Sequence, residues 1–576
     1  MPLAISIGQH SDRGRKEINQ DFHGALIPAG AALAMKGVAI AIADGISSSP
    51  VSGIAAEAAI RSFLTDYYCT SDAWTVKTSA RRVITATNAW LNAETRRHAD
   101  VGDADRGHVC SFSAMVLKGR QAHIFHVGDC RIGRLHGKSL EPLTEEHRLV
   151  VSSRHSYLAR ALGARPDVEI DYRVTDLHVG DVFVLSSDGV HEHVTGEDIA
   201  ATLAAHPDDL DAAARALVGA ALAAGSGDNL TVQIIRIESL PDSDADDWLA
   251  DAALEPAAPP EPGALLDGYR IIRALHVSHR SHVFLATDPD TGEPVAIKTA
   301  ATEMRGDALA LRRLMMEEWI ARRLKSPHVM KAAPRRRRSG VYVAAEYVDG
   351  QTLAQWMVDH PKPDLATIRD IAAQIAGGLR AFHRAEMVHQ DLRPQNIMID
   401  RFGAVKLIDF GATRVAGVVE AIPIAWEQIP GTVQYTAPEY FLGEQGDGRA
   451  DVFSLGVIVY QMLTGRLPYG ADVAKTRTRL QQARLVYTPA IEVRPDAPPW
   501  FDLAIRKATH PNPWKRHQDA DEFIHDLRRP NPDLPGAARS PLIRRHPARF
   551  WQGVSAGLAA IVVVLLWRLS RVGDFF

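Results

Sequence analysis

The sequence predicts a multidomain α/β protein closed by a single C-terminal transmembrane helix, and three observations lead there. The chain has 576 residues, enough for roughly two to four domains. Two regions in which short apolar strands run into acidic turns are separated by Ser239–Ala264, an acidic stretch without Lys or Arg that ends in prolines. Finally, Phe550–Trp567 carries no charge at all.

Composition narrows the class. Hydrophobic residues make up 46% and charged residues 23%, an ordinary globular balance. A net charge of −4 argues against a nucleic-acid-binding surface. Cys69, Cys110 and Cys130 form no C-x-x-C pair, so neither disulfides nor zinc are expected and a reducing compartment fits. The first residues lack a charged region followed by an apolar core, so no signal peptide is expected.

In the first region, residues 1–238, Val38–Ala43 runs into Asp44-Gly45 and His123–Val127 into Gly128-Asp129. Val182–Ser187 leads to Asp188-Gly189, and Asp228-Asn229 precedes the strand Leu230–Ile237. Gly53–Tyr68 and Ser79–His98 have helical apolar spacing. Acidic residues at several strand ends can converge on one cleft, where glycine lets the backbone approach closely. Carboxylates without His or Cys partners suit hard cations, magnesium or manganese.

A single Asp-Gly is an ordinary turn; the ordered set is specific. Asn19-Gln20-Asp21, Asp44-Gly45, Gly128-Asp129, Ala161-Leu162-Gly163, Asp188-Gly189 and Gly227-Asp228-Asn229 together resemble the metal-dependent protein serine/threonine phosphatase (PPM) family. The resemblance implies an α/β sandwich of two central sheets covered by helices, with metals at one edge. Asp44 would bridge two ions and the Gly45 carbonyl would bind one. Asp188 and Asp228 would complete the first site, Asp21 would support the second, and Asp129 matches a third, weaker one. A bridging water acidified by the cations would attack phosphoserine or phosphothreonine. Lys16 stands where the family usually carries a phosphate-gripping arginine, and Ile46-Ser47-Ser48-Ser49 replaces a glycine-rich turn. Neither change removes a metal ligand. His191-Glu192-His193 is expected at the surface.

Residues 239–264 read as an extended, solvated tether, with an acidic pseudo-substrate as the alternative.

The second region, 265–530, centres on Met387–Gly411, MVHQDLRPQNIMIDRFGAVKLIDFG. Two short strands, Ile397–Ile399 and Val405–Ile408, hold Asp391 and Asn396 before them and Asp409-Phe410-Gly411 after. Two carboxylates and an amide on a hairpin can activate a hydroxyl and bind magnesium on a nucleotide's phosphates. The stretch resembles the catalytic and magnesium loops of protein kinases. Val295-Ala296-Ile297-Lys298 matches the strand whose lysine holds the nucleotide phosphates, and the helix Leu309–Leu324 offers Glu317 as its partner, with Glu318 the alternative. Glu346, in Tyr342–Val348, matches the strand where adenine binds. Ala437-Pro438-Glu439, Asp451, Gly456 and Arg516 match later landmarks, so the resemblance covers both lobes of a bilobal α+β kinase.

There are departures. His276, Ser278 and Ser281 replace the phosphate-loop glycines, which should loosen or reshape nucleotide binding. Gln390 replaces the arginine before the catalytic Asp391, and Arg393 replaces a lysine that contacts the transferred phosphate, keeping its charge. Thr413, Thr432 and Thr436 are candidate self-phosphorylation sites. Lys331–Arg338 reads as a solvated turn, or alternatively as a docking patch for an acidic partner or lipid headgroup.

Last, residues 531–549 are basic, and Phe550–Trp567 spans roughly 27 Å as a helix, near the lower limit for crossing a bilayer. Arg539, Arg544, Arg545 and Arg549 precede it and only Arg568 and Arg571 follow, placing both catalytic domains in the cytoplasm and the tail 568–576 outside. The whole resembles bacterial phosphatase–kinase fusions: a membrane-anchored enzyme with Mg or Mn in one site and MgATP in the other. Its substrates would be protein Ser/Thr and phosphoprotein, including itself. The alternative is an active phosphatase regulated by a nucleotide- or partner-binding pseudokinase.

Overall fold

The computed structural model describes residues 2–98, 107–152, 155–241, 254–334, 336–421, 433–534 and 547–572. It divides into two units. The larger holds Met1–Gln351, Gly377–Asp391 and Asn396–Gly431; the smaller holds Thr352–Ala376, Leu392–Gln395 and Thr432–Phe576.

The larger unit opens with β1 (Ala4–Asp12), β2 (Asp21–Leu26), α1 (Gly30–Lys36), β3 (Val38–Gly45), α2 (Ser52–Cys69) and α3 (Val76–His98). Seven strands follow: β4 (Cys110–Lys118), β5 (Gln121–Val127), β6 (Arg131–His136), β7 (Ser139–Pro142), β8 (Arg148–Ser152), β9 (His155–Leu158) and β10 (Asp171–Asp176). Then come β11 (Val182–Ser186), α4 (Asp188–His191), α5 (Gly196–Ala205), α6 (Leu210–Ala223) and β12 (Leu230–Ser239). Two five-stranded sheets result, β1-β12-β11-β6-β7 and β10-β5-β4-β3-β2, with β8 and β9 as a separate hairpin.

The alternation in β3 explains the layering. Val38, Ile40 and Ile42 meet Met115, Leu117, Phe183 and Ile235 between the sheets. Ala39, Ala41 and Ala43 point the other way, where their small size lets α2 and α3 bring Phe63 and Ile84 against Phe112. Each fully buried Ile or Phe contributes about 1.5–3 kcal/mol, so a one-residue slip, which would exchange the two faces, is strongly disfavoured. On the second sheet α6 lays Leu217 and Val218 against Val232 and Ile234. The sandwich is the architecture expected.

The same unit continues into a third five-stranded sheet of β13 (Leu265–Leu266), β14 (Tyr269–Val277), β15 (Ser281–Thr287), β16 (Pro294–Ala300) and β17 (Val343–Glu346) in sequential order. The helix α7 (Ala308–Ala321) lies between the last two strands in sequence. After β18 (Gly350–Thr352), α8 (Leu353–Asp359) and α9 (Leu365–Arg384) come β19 (Met387–Val388), β20 (Ile397–Asp400), β21 (Val405–Leu407), β22 (Arg414–Val415) and α10 (Ala416–Ala421). The smaller unit is mainly helical, built around α11 (Gly448–Thr464), whose Val452–Val459 is buried throughout, together with Pro499–Ala508 and Ala520–Arg528.

Three expectations are corrected. A helix does form over Pro547–Val572, but among the described residues no helix is long and apolar enough to cross a membrane. Gln552, Gly553, Ser555 and Gly557 dilute its first half, and the unbroken run of large apolar residues starts only at Ile561. Of the expected solvated tether, 242–253 lie outside the described residues, and its C-terminal part is bound: Glu255 and Ala257 bond Val341 through their backbones (2.9 and 3.2 Å), and Ala257 joins the sheet's core. Two of the arginines expected in a solvated turn, Arg336 and Arg338, are instead held by ion pairs. Arg336 binds Asp288 (2.5 Å) and Asp290 (2.7 Å), and Arg338 binds Glu318 (2.6 Å) and the Tyr342 carbonyl (2.8 Å). The buried carboxylates of Asp288 and Glu318 hold their guanidinium groups away from solvent.

Candidate active sites

At one edge of the sandwich the acidic turns meet. Asp21 and Asp44 face each other across β2 and β3. Asp129 follows β5, Asp188 opens α4 and Asp228 precedes β12. Close backbone approach makes this possible. A Cβ on Gly189 would lie 2.1 Å from the Asn229 carbonyl oxygen, and one on Gly128, at φ +111°, would lie 2.3 Å from the Ser111 side chain. Asn229 fastens the preceding loop: it accepts from the Gln20 amide (2.9 Å) and donates to the Arg13 and Ile18 carbonyls (3.0 Å each).

Electrostatics marks these carboxylates as mutually repelling. Burial first, then Asp21, Asp188, Asp129 and Asp228, raise Asp44 well above the usual carboxylate range. Burial pushes Asp21 up to about 6, against hydrogen bonds donated by Thr231 (2.7 Å) and Ser187 (2.8 Å). Asp188 is raised too, by burial and then by Asp129 and Asp228. The buried Asp21 Oδ1 and Asp188 Oδ1 receive no hydrogen bond. An all-oxygen, like-charged set with orphaned buried oxygens fits hard divalent cations. Its atoms are spread wider than one ion's shell: among the described residues only His517, Glu522 and Asp526 bring three ligand atoms within 4.8 Å of one another.

Two cationic side chains reach into this cluster. Lys16 Nζ lies 3.0 Å from Asp228 and donates to Ser47 Oγ at 3.0 Å. Arg148, at the start of the β8–β9 hairpin, bonds Asp129 (2.9 Å), Asp188 (2.5 Å) and Glu192 (2.7 Å). Sequence reading missed Arg148 because nothing in its local pattern links it to residues so distant in the chain. His191 is also corrected. Its side chain is buried, 3.2 Å from Ser186 Oγ and 3.4 Å from Glu146, because α4 turns it back against the strand it follows.

In the second site Lys298 Nζ lies 2.6 Å from Glu317 and 3.1 Å from Asp409. Burial alone would lower Lys298, yet Asp409 and Glu317 hold it charged. Burial likewise favours a neutral Asp409, but Lys298 keeps that carboxyl below its ordinary range. Burial pushes Glu317 up to about 7 against the pull of Lys298. Those partners pull in opposite directions, and with Lys298 charged at 2.6 Å we read the group as ionised. Glu318, the alternative partner, instead binds Arg322 and Arg338.

Asn396 Nδ2 donates to the Asp391 carbonyl (2.9 Å) and carboxylate (3.1 Å). Gln390 and Asp409 adopt φ +64° and +62°, strained left-handed conformations in the two loops that carry Asp391 and Asp409. Glu346 is taken up by Lys406 (2.8 Å) and the Lys331 amide (2.8 Å). Ser278 folds the phosphate loop on itself, its hydroxyl donating to the Ser281 carbonyl (3.0 Å) and accepting from the Ser281 amide (3.2 Å). Arg393 lies in the smaller unit. Thr413 and Thr436 are buried, so neither is presented for phosphorylation here, and Thr432 lies outside the described residues.

Residues 271–534 match the protein kinase domain family and residues 9–223 match protein phosphatase 2C. Over 272 residues the chain is 34% identical to serine/threonine-protein kinase PknL of Mycobacterium tuberculosis, covering 46% of this chain and 67% of that protein. This chain belongs to the serine/threonine protein kinase family. The kinase carries a protein phosphatase 2C domain ahead of its kinase domain, so one chain joins two opposed enzymes. It is also 28% identical over 266 residues to serine/threonine-protein kinase PrkC of Bacillus subtilis, across 45% of this chain and 40% of that one. Among solved structures, the kinase is similar to the kinase domain of M. tuberculosis PknI (24% identity, TM-score 0.38, 47% of this chain and 99% of that). It is also similar to PppA of Pseudomonas aeruginosa (21%, TM-score 0.35, 40% and 97%).

Proposed function

We propose that residues 1–238 dephosphorylate protein phosphoserine and phosphothreonine, that 265–530 transfer the ATP γ-phosphate to protein Ser/Thr, and that the two share substrates. On the phosphatase side Asp44, Asp188, Asp228, Asp21 and the Gly45 carbonyl would hold two Mg or Mn ions, with Asp129 toward a third. Such ions supply an acidified water as nucleophile. Lys16 lies beside the cluster, where its ammonium can neutralise a substrate phosphate.

On the kinase side Lys298 orients the nucleotide's phosphates, Asn396 and Asp409 hold magnesium, and Asp391 accepts the substrate hydroxyl's proton. Arg393 neutralises charge on the transferred group. The observation that carries the reading is Lys298 bonded at once to Glu317 and Asp409, which assembles the phosphate-binding side without any glycine in the loop above it. One observation favours the alternative pseudokinase: the Ser278 turn closes that loop on itself.

The deciding experiment incubates the chain carrying Asp188→Ala, which silences dephosphorylation, with magnesium and γ-labelled ATP, beside the same chain carrying Asp391→Ala as well. Label on the first alone supports an active kinase. Label on neither, with phosphatase activity intact in the unmutated chain, assigns the second domain to nucleotide- or partner-dependent regulation.

A further inference from the structure

Within the larger unit, the phosphatase sequence grips the kinase at one polar socket. Helix α3 begins with two amides, those of Thr75 and Val76, that find no partner in their own helix. The Thr75 amide donates to Glu386 (2.7 Å) and the Val76 amide to Glu420 (2.8 Å), both kinase residues. Thr78 Oγ1 donates to the other Glu386 oxygen at 2.5 Å. Beside them Lys118, at the end of β4 and only 1% exposed, donates to the Gly417 carbonyl (2.7 Å) and pairs with Glu420 (3.4 Å). The Gly417 amide in turn donates to the Ala73 carbonyl at 2.9 Å.

The charges are complementary: a helix N-terminus and a buried lysine on one side, two carboxylates on the other. The fit is also steric. A Cβ on Gly417 would lie 2.7 Å from the carbonyl oxygens of Asp72 and Trp74 and 2.8 Å from that of Ala73, so no larger residue can sit there undisturbed. A second buried lysine, Lys36, braces the socket loop through Thr70 (2.7 Å), the Ser71 carbonyl (2.7 Å) and Ser79 (3.3 Å).

The gripped residues occupy decisive places in the kinase. Glu386 immediately precedes β19, which leads into His389–Asp391. Gly417 and Glu420 lie on α10, a few residues beyond Asp409-Phe410-Gly411. β19 and β22 pair with each other, so both ends of the catalytic machinery are tied at this point. The opposite side of α10 closes a small cavity with Leu309, Arg312, Arg313 and Met316 of α7, the helix that carries Glu317.

We propose that the start of the kinase activation segment, α10 with Glu386, is a docking ligand for its own phosphatase domain. The socket at Thr75, Val76 and Lys118 is its receptor. The phosphatase domain is thus a resident partner of the kinase and not a tethered passenger.

Deuterium uptake by the full chain tests this. In the unmutated protein the amides of 73–78 and 416–420 exchange slowly. Gly417→Leu, and separately Glu386→Gln with Glu420→Gln, accelerate exchange at least tenfold in both segments together, while β3 and α2 stay protected. Acceleration in 416–420 alone, or unchanged protection in both variants, overturns the proposal. As a second measurement, a protease site placed within 242–253 allows the folded chain to be cut. The two halves co-elute on gel filtration when unmutated and separate when Gly417→Leu is present. Halves that separate without any substitution overturn it as well. Hydrolysis of p-nitrophenyl phosphate, unchanged because every substitution lies in the kinase, certifies that the phosphatase half remains folded.

Discussion

At the scale of single residues, Arg148 is the most consequential side chain that lies outside any motif. Its guanidinium neutralises Asp129 and Asp188, two carboxylates proposed above to hold cations. Arg148→Ala therefore frees the ligands but leaves their repulsion unscreened. A charge-assisted hydrogen bond contributes about 1.5–3 kcal/mol, so manganese affinity should rise on the order of tenfold. Calorimetric titration measures that rise, and the melting temperature in chelator should fall. His126 offers a pH-dependent counterpart. Burial, and then His147, push its imidazole down to about 4, with Ser113 on one ring nitrogen and the Glu145 carbonyl on the other. Because the unfolded chain takes up the proton near pH 6.5 and the folded one does not, this stability is complete above 6.5 and lost as pH falls toward 4. The loss amounts to about 3 kcal/mol. In His126→Gln the fall between pH 6.5 and 4 should shrink, as measured by denaturant titration at each pH.

At the scale of elements, a buried ion pair ties Glu439 to Arg516 within the smaller unit. Arg516 meets Glu439 through both nitrogens, at 2.8 and 2.6 Å, and neither side chain is solvated. Arg516→Met strands the carboxylate and should cost about 3–5 kcal/mol, read as a lowered denaturation midpoint. That pair was legible in the sequence from its motif, as were the strands that lead to Asp44, Asp129 and Asp188, since a short apolar run leading into Asp-Gly or Gly-Asp is a local signal. The Arg148 contact, the burial of His191, the Arg336 and Arg338 ion pairs and the α10 socket were not legible. Apart from His191, which folds back on the strand just before it, each joins positions distant in sequence through side chains whose types are common on any surface. The terminal helix shows the converse. Absence of charge over 550–567 reads as a span, yet small and polar residues in its first half weaken that signal.

At the scale of the whole molecule, the phosphatase and kinase belong to one polypeptide whose larger unit includes the entire sandwich, the kinase sheet and the loops bearing Asp391, Asn396 and Asp409. Opposed chemistries so joined should leave a signature in the steady state. With ATP and magnesium present, the chain carrying Asp188→Ala should accumulate several times more protein-bound phosphate than the unmutated chain, as counted by intact-mass spectrometry. Equal phosphate in both would mean that the phosphatase does not act on this protein's own phosphorylation. Glu255 and Ala257 bond the amide and carbonyl of Val341, two residues ahead of β17, and without them both of those backbone groups lose their partners. A fragment begun at Leu265, where the motif-bearing region starts, discards those partners and invites strand addition by its neighbours. It should grow into larger particles in light scattering, whereas a fragment begun at Leu254 should stay dispersed. For this kinase, residues 255–257 belong to the fold although their sequence resembles a spacer.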